Sequence, residues 1–259
     1  MKLSVIIPVY NEKDYVRRCL DSVYTNKDVE VIVVDDGSND GTSEILEEYK
    51  DRFTIKRKTK TNFGVSWTRN VGLLEAEGDY VTFLDSDDEI SKGGIEKLLL
   101  AIDRGLEEGH NIIQFNHWRA NGEEKSTKFY NHPGLYTLNK LPQKWVLCWN
   151  KLYRRDFLTA HDIKFPWNVT FEEDCIFNLR CFRYTQTIVH YGESIVIKHN
   201  DNKMSICHTV ERSNIIDISE ALTELLKEGQ PPELENIIRQ RLSDTWNCKN
   251  AKRLFGGTP

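Results

Sequence analysis

Apolar positions in the first half of the chain follow two periods. Nearly continuous apolar runs at 3–9 and 29–34, broken only by Ser4 and Glu30, read as strands buried on both faces, and runs at 53–57, 80–84 and 111–116 read as further strands. Between them, apolar residues recur at helical spacing. Tyr15, Val16, Cys19, Leu20 and Val23 form one stripe within 12–24, and Ile45, Leu46 and Tyr49 another within 41–50. Helices are predicted over 66–76 and 92–105 as well. Strand and helix alternate in units of roughly 30 residues, the spacing of βαβ crossovers. The prediction is an α/β fold: a Rossmann-like, mostly parallel sheet flanked by helices.

The pattern changes after Trp118. The stretch up to Tyr136 contains Asn121-Gly122-Glu123-Glu124, is polar and turn-rich, and suits a hairpin on the rim of the sheet. Residues 143–183 mix aromatics and charges densely and are expected to fold onto the sheet. Strands at 187–189 and 194–198 precede two amphipathic helices, 210–227 and 232–246. Gly229-Gln230-Pro231-Pro232 separates those helices, because proline cannot continue the first and suits the opening turn of the second. There is no internal repeat, and Phe255-Gly256-Gly257-Thr258-Pro259 reads as frayed.

Composition narrows the choice of partners. A chain of 259 residues is long enough for one large α/β domain, or a domain with a smaller appendage. A net charge of −5 and a pI of about 5.9 argue against duplex nucleic acid, since neutralising phosphates takes a basic face. The dense basic run Lys56-Arg57-Lys58-Thr59-Lys60 reads as a solvated strand end. Cys19, Cys148, Cys175, Cys181, Cys207 and Cys248 form no C-x-x-C pair and read as reduced and structural, which points to the cytoplasm. The apolar start is too short for a signal peptide, and no apolar run reaches about 18 residues. A soluble protein is expected, with peripheral contact at the inner face of a membrane left open.

Three polar clusters end successive predicted strands: Tyr10-Asn11-Glu12, Asp35-Asp36 and Asp85-Ser86-Asp87-Asp88. In a parallel sheet these ends share one edge, where open α/β folds bind ligands. Carboxylates this close hold protons tightly unless a cation sits among them. Hard oxygen donors suit Mg²⁺ or Mn²⁺, ions that usually arrive with phosphates. A nucleotide fits such a set, one carboxylate accepting from a base N–H or ribose hydroxyls while a metal bridges the phosphates. A dinucleotide cofactor is disfavoured, because Val9-Tyr10-Asn11-Glu12-Lys13-Asp14 has no glycine where G-x-G-x-x-G needs it. No G-x-x-x-x-G-K-[ST] occurs either. An aspartyl-phosphatase D-x-D would stand at the first strand with a hydroxyl residue after it, whereas Asp85-Ser86-Asp87 comes later and leads into Asp88-Glu89.

Four motifs together resemble the family-two glycosyltransferases, inverting enzymes of the GT-A fold that use nucleotide-sugar donors. They are Ser4-Val5-Ile6-Ile7-Pro8-Val9-Tyr10-Asn11-Glu12, Val33-Val34-Asp35-Asp36-Gly37-Ser38-Asn39-Asp40-Gly41-Thr42, Arg69-Asn70-Val71-Gly72, and Gly78-Asp79-Tyr80-Val81-Thr82-Phe83-Leu84-Asp85-Ser86-Asp87-Asp88. Trp149-Asn150-Lys151-Leu152-Tyr153-Arg154-Arg155 and Phe171-Glu172-Glu173-Asp174 resemble the family's acceptor-side half. The likeness covers roughly residues 3–205. One departure is Trp67-Thr68 before Arg69, where the family usually has alanine.

The resemblance implies a nucleotide-sugar binding half over 1–118, an acceptor-binding half of the same domain over 119–208, and a C-terminal helical extension over 209–259. It implies that Pro8, Tyr10 and Glu12 line the nucleoside pocket, that Asp36 accepts from the base N–H, and that Arg69 approaches the diphosphate or the aspartates. Asp85 would complete the donor site, Asp87 and Asp88 would bind Mn²⁺ or Mg²⁺, and Asp174 would be the general base. His199 and Lys203 follow the last predicted strand and are candidate metal or phosphate contacts, a polar exposed loop being the equal alternative. Trp149 is the candidate acceptor contact; Trp145 and Trp167 read as core. The expected reaction moves a sugar, from UDP by expectation, to a hydroxyl of a glycan or lipid-linked acceptor, as in polysaccharide assembly. The alternative is a non-catalytic nucleotide-sugar binding protein on the same fold. The C-terminal helices are left open among core packing, a homodimer contact and a membrane-surface contact.

Overall fold

The structure, a computed structural model, describes residues 1–57, 62–121, 124–128, 132–141, 145–202, 210–247 and 254. Its first half alternates as predicted: β1 (Leu3–Val9), α1 (Val16–Asp21), β2 (Val29–Asp35), α2 (Thr42–Glu47), β3 (Thr54–Arg57), α3 (Val65–Glu75), β4 (Tyr80–Phe83), the short β5 (Glu89–Ile90) and α4 (Gly94–Glu108). Then follow β6 (Ile112–Asn121), β7 (Glu124–Lys128), β8 (Gly134–Thr137), β9 (Lys151–Arg154), α5 (Arg155–Ala160), α6 (Glu173–Tyr184), β10 (Thr187–His199), α7 (Arg212–Lys227) and α8 (Pro232–Asn247).

The strands form one sheet in the order β3-β2-β1-β4-β9-β6-β10-β5, with β7 beside β6 and β8 beside β10. β3, β2, β1 and β4 are parallel, as are β6 and β10, while β9 runs against both β4 and β6. The parallel strands therefore all end at one edge. Both faces are covered, which explains the nearly continuous apolar runs. Leu3, Val5 and Ile7 pack with Cys19, Leu20, Leu98 and Ile102 on one side; Ile6, Ile32 and Phe83 pack with Phe165, Ile176 and Phe177 on the other. Gly72 brings α3 against β1: a Cβ there would stand 2.2 Å from Ile6 Cγ2.

Several expectations needed revision. The helix expected over 12–24 begins only at Val16, because the preceding residues are bonded into the loop that follows β2. The predicted strands at 187–189 and 194–198 are one strand, β10, interrupted by register shifts around Gly192, whose φ is 83°. The rim hairpin exists as β6 and β7, and the boundary expected after Trp118 falls inside β6. β9 and α5 were not anticipated. Lys151 opens β9 fully buried, its ammonium donating to the Leu147 carbonyl and, at 3.0 Å, to Asn150 Oδ1. Burial pulls its pKa down to about 7. Among the described residues, no helix is long and apolar enough to cross a membrane.

Candidate active site

The loops after β1 and β2 are built as one unit. Asn11 takes a left-handed φ of 54°, which asparagine tolerates better than most residues. Its N–H donates to Ser38 Oγ and its Oδ1 accepts from the Asn39 N–H, each at 2.9 Å. The Glu12 N–H donates to Thr42 Oγ1 at 2.8 Å. Adjacent aspartates then divide the work. Asp35 accepts from the Ser38 N–H, the Ser38 hydroxyl and the Ser43 hydroxyl at 2.9, 2.7 and 2.6 Å, and so holds the turn into α2. Asp36 Oδ2 accepts from the N–H groups of Phe63 and Gly64 at 2.8 and 2.7 Å, which fixes the entry to α3. Pro8 is buried in β1 beside Val34, and Tyr10 is exposed at the lip.

The end of β4 delivers Asp85, Asp87 and Asp88, whose oxygens lie within 4.8 Å of one another. This all-oxygen set fits a hard divalent cation. Lys198, next to last in β10, also points into it. Its Nζ lies 2.9 Å from Asp88 Oδ2, 3.5 Å from Asp85 Oδ2 and 3.7 Å from Asp87 Oδ1. Asn202 bridges from the far end of the chain, donating to Asp87 Oδ2 at 3.1 Å and to the two Glu12 oxygens at 3.2 and 3.3 Å. Arg18 of α1 donates to the Asp87 carbonyl at 2.6 Å. Burial, with Asp87 and Asp85 adding to it, pushes Asp88 up to about 8 even beside Lys198. Burial and the Asp87 charge push Glu12 up to about 7.

Arg69 organises the other side. Its guanidinium, with the side chain 6% exposed, pairs with Glu173 Oε1 at 2.5 Å and Asp85 Oδ1 at 3.1 Å, and lies over the Phe165 ring. Burial works against ionisation of Asp85, but Lys198 and Arg69 together hold its pKa below the usual carboxylate value. The three acids opening α6 have separate fates. Glu172, at φ 60°, pairs with Arg241 of α8, and Glu173 pairs with Arg69. Asp174 has no ion pair among the described residues. It is half-buried, and desolvation followed by the charge of Glu173 pushes it up to about 7.

The structure thus brings Glu12, Arg69, Asp85, Asp87 and Asp88 into one connected network, with Asp174 next to Glu173 on its border. His199 belongs to it through the backbone: its N–H donates to Asp88 Oδ1 at 2.9 Å, whereas its ring is bonded to Glu89 at 2.5 Å. Lys203 lies outside the described residues. Trp149 is 6% exposed; it meets His117 edge-on and carries the Lys198 ammonium 5.7 Å from its ring centroid, so little of the ring is open to an acceptor. Thr68, the departure from the family pattern, satisfies its hydroxyl on the Val65 carbonyl at 2.7 Å. Sequence reasoning missed Arg18, Lys198 and Asn202. Only Lys198 left a signal, as the last residue of a predicted strand.

Comparison with known proteins agrees with this geometry. A family model described as Glycosyl transferase family 2 matches residues 4–175. The chain is 34% identical over 191 residues, 70% of its length, to poly(ribitol-phosphate) beta-N-acetylglucosaminyltransferase TarS of Staphylococcus aureus. It is 29% identical over 263 residues, 93% of its length, to glycosyltransferase GlyA of Streptococcus pneumoniae. The matches take in 32% and 37% of those relatives, so the chain spans about a third of their length. The crystal structure of S. aureus TarS 1-349 in complex with UDP-GlcNAc superposes with a TM-score of 0.78 at 25% identity, over 95% of this chain and 72% of that one. Mannosyltransferase PcManGT from Pyrobaculum calidifontis, in complex with GDP-Man and Mn²⁺, shares the fold at a TM-score of 0.66 and 15% identity, over 93% and 69%.

Proposed function

The chain belongs to glycosyltransferase family 2, and on that premise we propose that its site transfers a sugar from a UDP-sugar to an acceptor hydroxyl with inversion, Asp174 being the base. One observation carries the reading: of the three acids opening α6, Glu172 and Glu173 are each neutralised by an arginine, while Asp174 keeps a proton affinity near neutrality. A general base works best when its pKa is near the operating pH. UDP is favoured because TarS, a relative of 34% identity, has a structure in complex with UDP-GlcNAc.

The residues then have distinct tasks. Pro8, Tyr10 and Glu12 line the nucleoside pocket, and Asp36 accepts from the base N–H. Asp87 and Asp88 would hold Mn²⁺ or Mg²⁺, which when bound screens the charge growing on the departing diphosphate. Arg69 holds Asp85 and Glu173 in place by ion pairs and favours the ionised form of Asp85. Asp174 takes the acceptor hydroxyl proton as that oxygen bonds to the anomeric carbon. The bond to the diphosphate breaks on the opposite face, which inverts the centre without an enzyme nucleophile. The acceptor is proposed to be a glycan or lipid-linked glycan, and the setting cytoplasmic, in keeping with free thiols at Cys19, Cys148, Cys175 and Cys181.

Asp174→Asn tests this reading. The variant should fold and bind UDP with Mn²⁺ as wild type does, yet lose about 10²–10⁴-fold in turnover of UDP-GlcNAc, the range that general-base catalysis supplies. Turnover within threefold of wild type would remove Asp174 from the mechanism. Unchanged nucleotide binding with no turnover by either protein across a panel of UDP-sugars and glycan acceptors would favour a binding protein instead.

A further inference from the structure

The Lys198 ammonium stands where three carboxylates converge, 2.9 Å from Asp88, 3.5 Å from Asp85 and 3.7 Å from Asp87. Those are the residues whose oxygens lie within 4.8 Å of one another. We propose that Lys198 is a built-in counterion of this triad, competing with the divalent cation for the same carboxylates, so that the cation gains full access only when Lys198 turns away. The inference rests on the reading that Asp87 and Asp88 hold a metal.

The backbone around Lys198 is pinned. The His199 N–H is bonded to Asp88 Oδ1 at 2.9 Å, and Ile197 pairs with Glu89 across β10 and β5. The lysine Cα therefore cannot retreat, and only its flexible four-carbon stem can move. A route is open: the side chain is 25% exposed, and the Trp149 ring flanks the ammonium at 5.7 Å. Coordination also forces the choice. Mg²⁺ binds oxygen at about 2.0–2.1 Å, so an ion held by these carboxylates would sit against an ammonium already touching them. Arg69 retains Asp85 throughout, which makes Asp87 and Asp88 the contested ligands.

Without a nucleotide, Lys198 offsets part of the triad's charge and occupies its centre, and metal binding is weak. A bound diphosphate adds negative charge at the same edge. Lys198 can then serve the diphosphate while the metal takes the carboxylates, so each ligand strengthens the other by the same factor. Lys198 would make metal loading depend on the donor.

Manganese titrations of the full chain, followed by the electron paramagnetic resonance of free Mn²⁺, separate the possibilities. Without nucleotide, Lys198→Met should bind Mn²⁺ about tenfold tighter than wild type, within the span usual for coupled sites. The gain in Mn²⁺ affinity on adding UDP should shrink in that variant, and Lys198→Arg, which keeps the charge, should stay near wild type. If Lys198→Met is unstable with its triad unpaired, a larger Mn²⁺-induced rise in Tm than in wild type gives the same answer. An unchanged or weaker nucleotide-free affinity in Lys198→Met, with both proteins binding Mn²⁺ when UDP is present, overturns the inference and leaves the metal reading standing. No Mn²⁺ binding by any of these proteins, even with UDP, overturns both.

Discussion

Removing the Arg69 guanidinium while keeping its bulk, as in Arg69→Met, should destabilise the fold through charges left behind rather than through lost packing. Arg69 is 6% exposed, and Glu173 beside it 10%. In the variant, Glu173 would keep its burial and lose its cation. Asp85, at 24% exposed, would keep Lys198 at 3.5 Å and water besides. Stripping one partner from a buried ion pair costs about 3–5 kcal/mol. Asp85 is partly relieved, so the lower end applies, about 3 kcal/mol. In a chain of this size that lowers Tm by about 6–12 °C.

Urea unfolding followed by circular dichroism at pH 7.5 measures the loss, with an unchanged m-value marking it as a stability effect. The sharper assay adds Glu173→Gln. If the stranded charge causes the damage, the double variant should recover at least about 1 kcal/mol relative to the sum of the single changes. Arg69→Lys should fall between, keeping the charge but losing the fork that reaches Glu173 and Asp85 together. A loss under about 1 kcal/mol for Arg69→Met, or simple additivity with Glu173→Gln, would refute the assignment of Arg69 as the electrostatic hub of the site.

Three further outcomes follow from particular residues. Because Asp174 is raised to about 7 in the folded protein, its contribution to stability is full below its unfolded value of 3.8 and is lost as pH rises through 7. Asp174→Asn should therefore gain stability relative to wild type between pH 5 and pH 8, by on the order of 2 kcal/mol, and a flat difference in urea midpoint across that range would contradict the shift. In wild type, kcat/KM should rise through an acidic limb near pH 7 as Asp174 ionises. Gly72→Ala would place a Cβ 2.2 Å from Ile6 Cγ2 in the packed contact between α3 and β1, and should cost about 1–3 kcal/mol in thermal unfolding; a change below about 0.3 kcal/mol would mean that the close approach is not rigid.

The βαβ half was legible because each element carries its own period. β1 and β2 are apolar at nearly every position, and α4 repeats buried residues at Ile95, Leu98, Ala101, Ile102 and Gly105. The placement of Glu12, Asp36 and Asp85–Asp88 at one sheet edge followed from strand direction. What failed to show was structure held by contacts between distant positions. Lys151 spoils any strand pattern at β9, yet the Leu147 carbonyl and the Asn150 amide oxygen make its burial possible. The first residues of the expected helix after β1 are bonded to a loop about 30 positions away. Gly192 falls in the gap between the two predicted strands at 187–189 and 194–198, and that gap is an irregularity within β10.

The same logic sorts the acids of the site, and there the pattern of pairing says more than the residue type. Asp35 is consumed by the turn it holds, Glu172 by Arg241 and Glu173 by Arg69. Each pairing spans positions that no local reading connects: 104 residues separate Arg69 from Glu173, and 190 separate Asn202 from Glu12. In the sequence, Glu172, Glu173 and Asp174 are three equivalent carboxylates at a helix start, where acids are favoured anyway. Folding breaks the equivalence by bringing an arginine to each of the first two. What remains at the start of α6 is one acid without an ion pair among the described residues, raised toward neutrality at the border of the Arg69–Asp85 network. On the proposed mechanism, a site that holds a charged donor and still accepts a proton from a neutral hydroxyl needs that division, and the arginines at 69 and 241 make it rather than the acids themselves.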